Sequence, residues 1–139
     1  MAGELTFEQI QELVTSGPYH KWLGLKVIAV HEDGIEISAS CREEWVISSQ
    51  RRYIHGGILA SLVDIAGDWA LVMRTGHGVP TINLHVDYHN AAAPGDLIAR
   101  GKVIKFGSQF STAEAQIFDQ AGKLLASGRG TYFTAPPKS

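Results

Sequence analysis

With a single cysteine, Cys41, among its 139 residues, the chain cannot form an internal disulfide, and Cys41 has no companion at metal-ligand spacing. It sits in an alternating, strand-like run and reads as a small core residue. An excess of charge of one sign is also lacking. Twelve Lys and Arg stand against fourteen Asp and Glu, a net charge of -2 with no long run of either sign, which argues against nucleic acid as a partner. No apolar run approaches the roughly 20 residues that span a bilayer. The first residues, MAGELTFEQI, carry two acids and no apolar leader core. A cytoplasmic protein without a membrane partner is expected. What the chain does have is 45% hydrophobic residues, at a length suited to one compact domain over 1–139, without repeats or low-complexity segments.

The pattern along the chain changes period several times. Thr6 and Gln9 form a capping-box pair for a short helix over about 7–16, which Gly17-Pro18 ends. Leu25–His31 and Ile35–Cys41, the latter alternating, flank a Glu32-Asp33-Gly34 turn and predict a hairpin. Arg42–Tyr53 has little periodicity and reads as a loop. A helical segment over about 57–74 follows, and then TINLHVDY, with Ile82, Leu84, Val86 and Tyr88 on one face and Thr81, Asn83, His85 and Asp87 on the other. Leu97–Phe106, Phe110–Asp119 and Lys123–Phe133 complete the strands, and 135–139 read as a frayed tail. This order gives an α+β class, with an antiparallel β-sheet wrapped around one long central helix.

The central helix carries the chemical question. Leu59, Leu62, Val63, Ala66, Trp69, Ala70 and Met73 share one arc, while Gly57, Ser61, Asp64 and Asp68 form a stripe opposite, with Ile58, Ile65 and Val72 between. Two carboxylates one turn apart on a mostly apolar helix either face water or serve a purpose, because an unpaired buried carboxylate costs several kcal/mol or shifts its pKa upward. At the helix start, His55-Gly56-Gly57 places small residues where backbone N–H groups lack helical partners. Such an end can hold a carbonyl oxygen that gains negative charge. His55 suits a structural hydrogen bond beside the helix start better than it suits catalysis. Trp69 and Tyr53 suit an aromatic pocket or the core, and Arg51, Arg52 and Lys105 suit phosphates or plain solvation.

HGGILASLVD, followed by TINLHVDY and then PGD, resembles the hotdog-fold acyl-CoA thioesterases of the phenylacetate-degradation, PaaI-like type, over about residues 20–134. The resemblance implies a hotdog fold. It implies that Asp64, seven residues beyond HGG, is the nucleophile or general base, that Gly56 or Gly57 polarises the carbonyl through its amide, and that Thr81 orients water. The family's Asn or Gln before the histidine aligns with Ser49, while the adjacent Gln50 is the closer chemical match. Asn90-Ala91-Ala92 stands where the family commonly has Arg-Pro-Ala, and Asp68 is not a usual family feature.

Thioester hydrolysis needs a polarised carbonyl and an attacking oxygen, and coenzyme A supplies a good leaving thiolate. No cofactor and no metal is expected beyond the coenzyme A of the substrate, a small acyl-CoA, aromatic or aliphatic. Asp64 either attacks the carbonyl or takes a proton from water. Asp68, one turn on, would raise the pKa of Asp64 and is itself expected to be protonated, firmly hydrogen-bonded or turned to a polar acyl substituent. Gly57 and Asp64 lie roughly 10 Å apart along one helix, too far to act together on one carbonyl. That distance predicts a homodimer with shared sites, in contact through Ile58, Ile65 and Val72, with a dimer of dimers as the further expectation. The alternatives are a non-catalytic acyl-CoA-binding hotdog protein, a hotdog hydratase or dehydratase, and a metal site at His85, Asp87 and His89.

Overall fold

A computed structural model describes residues 5–138. Helix α1 spans Phe7–Ser16, and both halves of its capping box are made: Gln9 N–H donates to Thr6 Oγ1 at 3.2 Å, and Thr6 N–H to Gln9 Oε1 at 2.9 Å. Ile10 and Val14 anchor it in the core. Gly17 ends the helix as expected, but Pro18 begins another, α2 (Pro18–Leu23), where the sequence suggested only a terminator. Proline is well placed at a first helical residue, whose N–H has no helical partner, and Gly24, at φ 65°, closes the turn.

Strands β1 (Leu25–Val30) and β2 (Gly34–Ala39) form the hairpin. A short 3₁₀ turn, Glu43–Trp45, buries Trp45 inside the segment read as a loop, and Val46 then bridges to Ile54. Helix α3 runs over Gly56–Thr75, one residue beyond the expected span at each end. Strands β3 (Thr81–Tyr88), β4 (Leu97–Lys105), β5 (Phe110–Asp119) and β6 (Leu124–Phe133) follow. All six strands join one antiparallel sheet in the order β1-β2-β4-β5-β6-β3. The sheet curls around α3, which packs chiefly on β4, β5 and β6: this is the hotdog fold. Approach is closest where the Ala66 carbonyl of α3 meets Gly101 of β4; a Cβ on Gly101 would lie 2.0 Å from that oxygen.

Two expectations about α3 need correcting. Its 20 residues are long and apolar enough to cross a membrane by those measures alone, a possibility the reading of the sequence passed over, but the chain's own sheet covers much of its circumference. The flank offered as a dimer contact is largely used inside the chain, with Ile58 at 9% and Val72 at 7% exposure and Ile65 partly buried.

Strand β3 is an edge of the sheet, and a bulge interrupts its register. Thr81 pairs with Tyr132 and Asn83 with Thr131, so Ile82 is an extra residue, 55% exposed. Strict alternation put Thr81 on the face of Asn83, His85 and Asp87. The bulge turns it to the helix side instead.

Candidate active site

Asp64 and Asp68 face a cleft of about 300 Å³ between α3 and α2, lined also by Ser61, Ile65, Trp69, Tyr19 and His20. The Thr81 hydroxyl crosses from β3 and donates to Asp64 Oδ1 at 2.8 Å. No acceptor or donor among the described residues engages Asp64 Oδ2, which leaves that oxygen for chemistry. Beneath the pair, Tyr132 on β6 is fully buried and its hydroxyl donates to the Asp64 carbonyl at 3.4 Å. Burial first, and then the charges of Asp64 and Asp68, push the Tyr132 phenol well above its ordinary range, so it stays protonated and keeps a hydrogen to donate.

Asp68 is the unusual group. Its Oδ1 is buried and has no hydrogen-bond partner. Burial, followed by the charge of Asp64, pushes its pKa up from 3.8 to about 7. Of the three states expected for Asp68, firm hydrogen bonding at Oδ1 is therefore not the one adopted. Trp69 is partly buried against the core and lines the same cleft, its ring edge-on to His20 with centroids 6.5 Å apart. Tyr19 and His20 were not read as site residues. The signal that could have found them is the proline-first, glycine-last frame of PYHKWLG, which marks a short helix ahead of β1.

The start of α3 lies in a different place. Gly56 opens onto a second cleft, about 390 Å³, lined by Arg51, Tyr53, Ile47, Leu59, Tyr88 and His89 among others. His55 is the helix cap: its Nδ1 accepts from Gly57 N–H at 2.9 Å, so that amide is engaged. The Gly56 N–H has no acceptor among the described residues, which singles it out from the two glycines as the free donor. Tyr88 steadies the glycine by donating to the Gly56 carbonyl at 2.9 Å. Tyr53, 45% exposed, belongs to this cleft and to neither the core nor the pocket of Trp69.

Ser49 and Gln50 are exposed at the tip of a tight turn in which Arg51 N–H donates to Ser48 Oγ and Ser48 N–H to the Arg51 carbonyl. Neither lines the cleft of Asp64. Arg52 is held by a bidentate pair with Glu43, both contacts 2.9 Å, while Arg51 lines the cleft of Gly56. Lys105, exposed at the end of β4, lines neither cleft, so the structure does not bring it to the other cations. On the outer sheet face His85 contacts Asp87 at 3.1 Å, but His89 turns to Ser127 at 2.7 Å. Among the described residues no three His, Cys, Asp or Glu side chains converge as a metal site.

The groups singled out thus fall in two separate clefts. Gly56 and Asp64 are eight residues apart on one helix, roughly 12 Å along its axis. One holds the carboxylates and the hydroxyl, the other the free amide.

Comparison with known proteins bears on the same segment. A family model described as the thioesterase superfamily matches residues 52–126, which include Gly56, Asp64, Asp68 and Thr81. An X-ray structure of a protein from the thioesterase superfamily is 49% identical, with a TM-score of 0.88, over 91% of this chain and 96% of that one. The PaaI protein of E. coli, from the phenylacetic acid degradation operon, shares the fold at 21% identity and a TM-score of 0.83, over 95% and 94% of the two chains. A relative from Saccharolobus solfataricus, provisionally named an esterase, is 28% identical over 114 residues, 81% of this chain and 80% of its own length.

Proposed function

Because this chain belongs to the thioesterase superfamily, we propose that it hydrolyses a small acyl-CoA to the free acid and coenzyme A, at sites that two copies of the chain build between them. The observation that carries this reading is the Thr81–Asp64 hydrogen bond, 2.8 Å long and open to a cleft. It holds one carboxylate oxygen in a fixed position and leaves the other for a reacting atom.

In the proposed reaction the Gly56 N–H of one copy donates to the thioester carbonyl oxygen, and Asp64 of the other copy acts at the carbonyl carbon. As general base, Asp64 takes a proton from water while the water oxygen bonds to carbon. The carbonyl π electrons move to oxygen, the Gly56 amide stabilises that charge, and their return expels coenzyme A as thiolate. As nucleophile, Asp64 would form a mixed anhydride that water then opens. In both courses Thr81 sets the carboxylate's direction and the amide supplies the electrostatic term. One such donor is worth ~10²–10³ in rate. The cleft of Tyr53, Arg51 and Tyr88 adjoins the amide and suits the leaving group's arm, with the Arg51 cation available to phosphate.

The two separate clefts are the reason for proposing a homodimer. Edge strand β3, with Ile82 and Tyr88 each more than half exposed, offers an unpaired rim through which two sheets can join and set α3 against its mate. Released thiol, followed with purified protein over a panel of acyl-CoA thioesters, tests the activity. Turnover that Asp64→Asn abolishes supports it; binding of acyl-CoA without turnover would instead favour a carrier or sensor.

A further inference from the structure

We infer that Asp68 selects the substrate: its carboxyl receives a hydrogen-bond-donating substituent, a hydroxyl or an ammonium, on the acyl group whose thioester carbonyl is presented to Asp64. The inference rests on the reading of Asp64 as the reacting carboxylate.

Four observations lead to it. Asp68 lies one turn beyond Asp64 and lines the same cleft. Its Oδ1 is buried without a partner, a costly state that a substrate group can relieve. Two neighbouring polar groups are engaged with other partners: the Tyr19 hydroxyl donates to Ser61 Oγ at 2.8 Å, and His20 Nδ1 is bound to the Val14 carbonyl at 2.7 Å. Among the described residues no Lys or Arg lines the cleft, so no permanent cation stands beside the second carboxylate there. The titratable groups around it are Asp64 on α3, Tyr19 and His20 on α2, and Tyr132 beneath on β6.

The rest of the lining fits a carbon skeleton. Ile65, the Trp69 ring and the Tyr19 ring flank the cleft. Four residues of helix advance roughly 6 Å. With its carbonyl at Asp64, an acyl group would therefore place a donor at Asp68 when that donor sits about 6 Å from the carbonyl carbon. A shorter unsubstituted acyl group would leave Oδ1 as it is now, buried and unsatisfied. A site built around a polar partner rejects the analogue that lacks it far more strongly than an apolar pocket rejects a missing methylene.

The test uses three substrates of nearly one shape: the CoA thioesters of 4-(hydroxymethyl)benzoate, 4-(aminomethyl)benzoate and 4-ethylbenzoate. Binding of the matching ketones, in which CH₂ replaces the thioester sulfur, is measured by calorimetry alongside kcat/KM. At least one donor-bearing member should exceed the ethyl compound by ~10-fold or more in both measurements, and which one does so identifies the donor. Asp68→Leu should bring that ratio to one or below, and Asp68→Asn, which keeps an acceptor oxygen, should retain part of it. If the Leu variant fails to fold, the Asn variant carries the test, since it must then lower the ratio. A wild-type ratio near one, or a ratio untouched by these substitutions, overturns the inference. Preference among the ketones without hydrolysis of any thioester would leave the role of Asp68 standing and remove the thioesterase reading. Hydrolysis without preference does the reverse.

Discussion

Replacing Asp68 by asparagine should stabilise the protein, and by more as the pH rises. The Asp68 carboxyl has a folded-state pKa of about 7 against 3.8 for the free group, because burial and the neighbouring Asp64 both disfavour its charge. A raised carboxyl pKa means that the folded chain holds this proton more tightly than the unfolded chain does. Its penalty is therefore absent below pH 3.8, grows as the pH rises from there, and is complete above pH 7. At 1.36 kcal/mol per unit, the shift amounts to about 4 kcal/mol at pH 8 and about 2 kcal/mol at pH 5. Asparagine has nearly the shape of the protonated acid and never ionises. Urea unfolding of both proteins at one fixed protein concentration, from pH 5 to 8.5, isolates the effect, since titrations common to the two cancel in the difference. The advantage of Asp68→Asn should widen by about 2–3 kcal/mol across that range. A constant difference, or wild type gaining on the variant as the pH rises, would refute the argument.

Asp64→Asn should fold normally and lose at least ~10²-fold in kcat with little change in KM, while Thr81→Val, which frees the carboxylate without removing it, should lose roughly tenfold; steady-state thiol release separates the two. Gly56→Pro removes the free amide at the first helical position, where proline is tolerated; its ring must be fitted beside Tyr88, 3.2 Å from the place of a Cβ, so folding is checked by circular dichroism. Co-refolded in equal amounts with Asp64→Asn, it should restore about a quarter of wild-type activity, because random pairing gives half heterodimers with one intact site each; no recovery in confirmed heterodimers would mean that each chain completes its own site. Gly101→Ala should cost about 3 kcal/mol or prevent folding, measured by thermal or urea unfolding, since its Cβ would lie 2.0 Å from the Ala66 carbonyl oxygen.

The features legible in the sequence were those with a single period or a local chemical signature. The capping box of Thr6 and Gln9, the alternation of β2 and the one-turn spacing of Asp64 and Asp68 each depend on near neighbours, and each appears in the fold. What was missed depended on partners distant in the chain. Gly17-Pro18 is the same dipeptide whether it ends one helix or also begins the next, and only the packing of α2 beside α3 brings Tyr19 and His20 to the aspartates. His55 suited a structural hydrogen bond at the helix start better than chemistry, and its ring is indeed bound to the Gly57 amide, which leaves Gly56 as the free donor. Arg51 and Arg52 are adjacent in sequence and differ only in that Glu43 reaches one of them.

The bulge at Ile82 bears on how roles are carried from one sequence to another. Counting back along β3 from Asn83 by simple alternation assigns the helix-facing place to Ile82, a residue with no group to offer Asp64. Counting by rungs of the ladder assigns it to Thr81, opposite Tyr132. A sequence one residue shorter at this point could present its hydroxyl from the position directly before the equivalent of Asn83 and keep the same contact. An alignment scored on residue identity would place a gap there and record a lost hydroxyl where none is lost. For this strand, the partner across the sheet is the coordinate in which the contact with Asp64 can be traced.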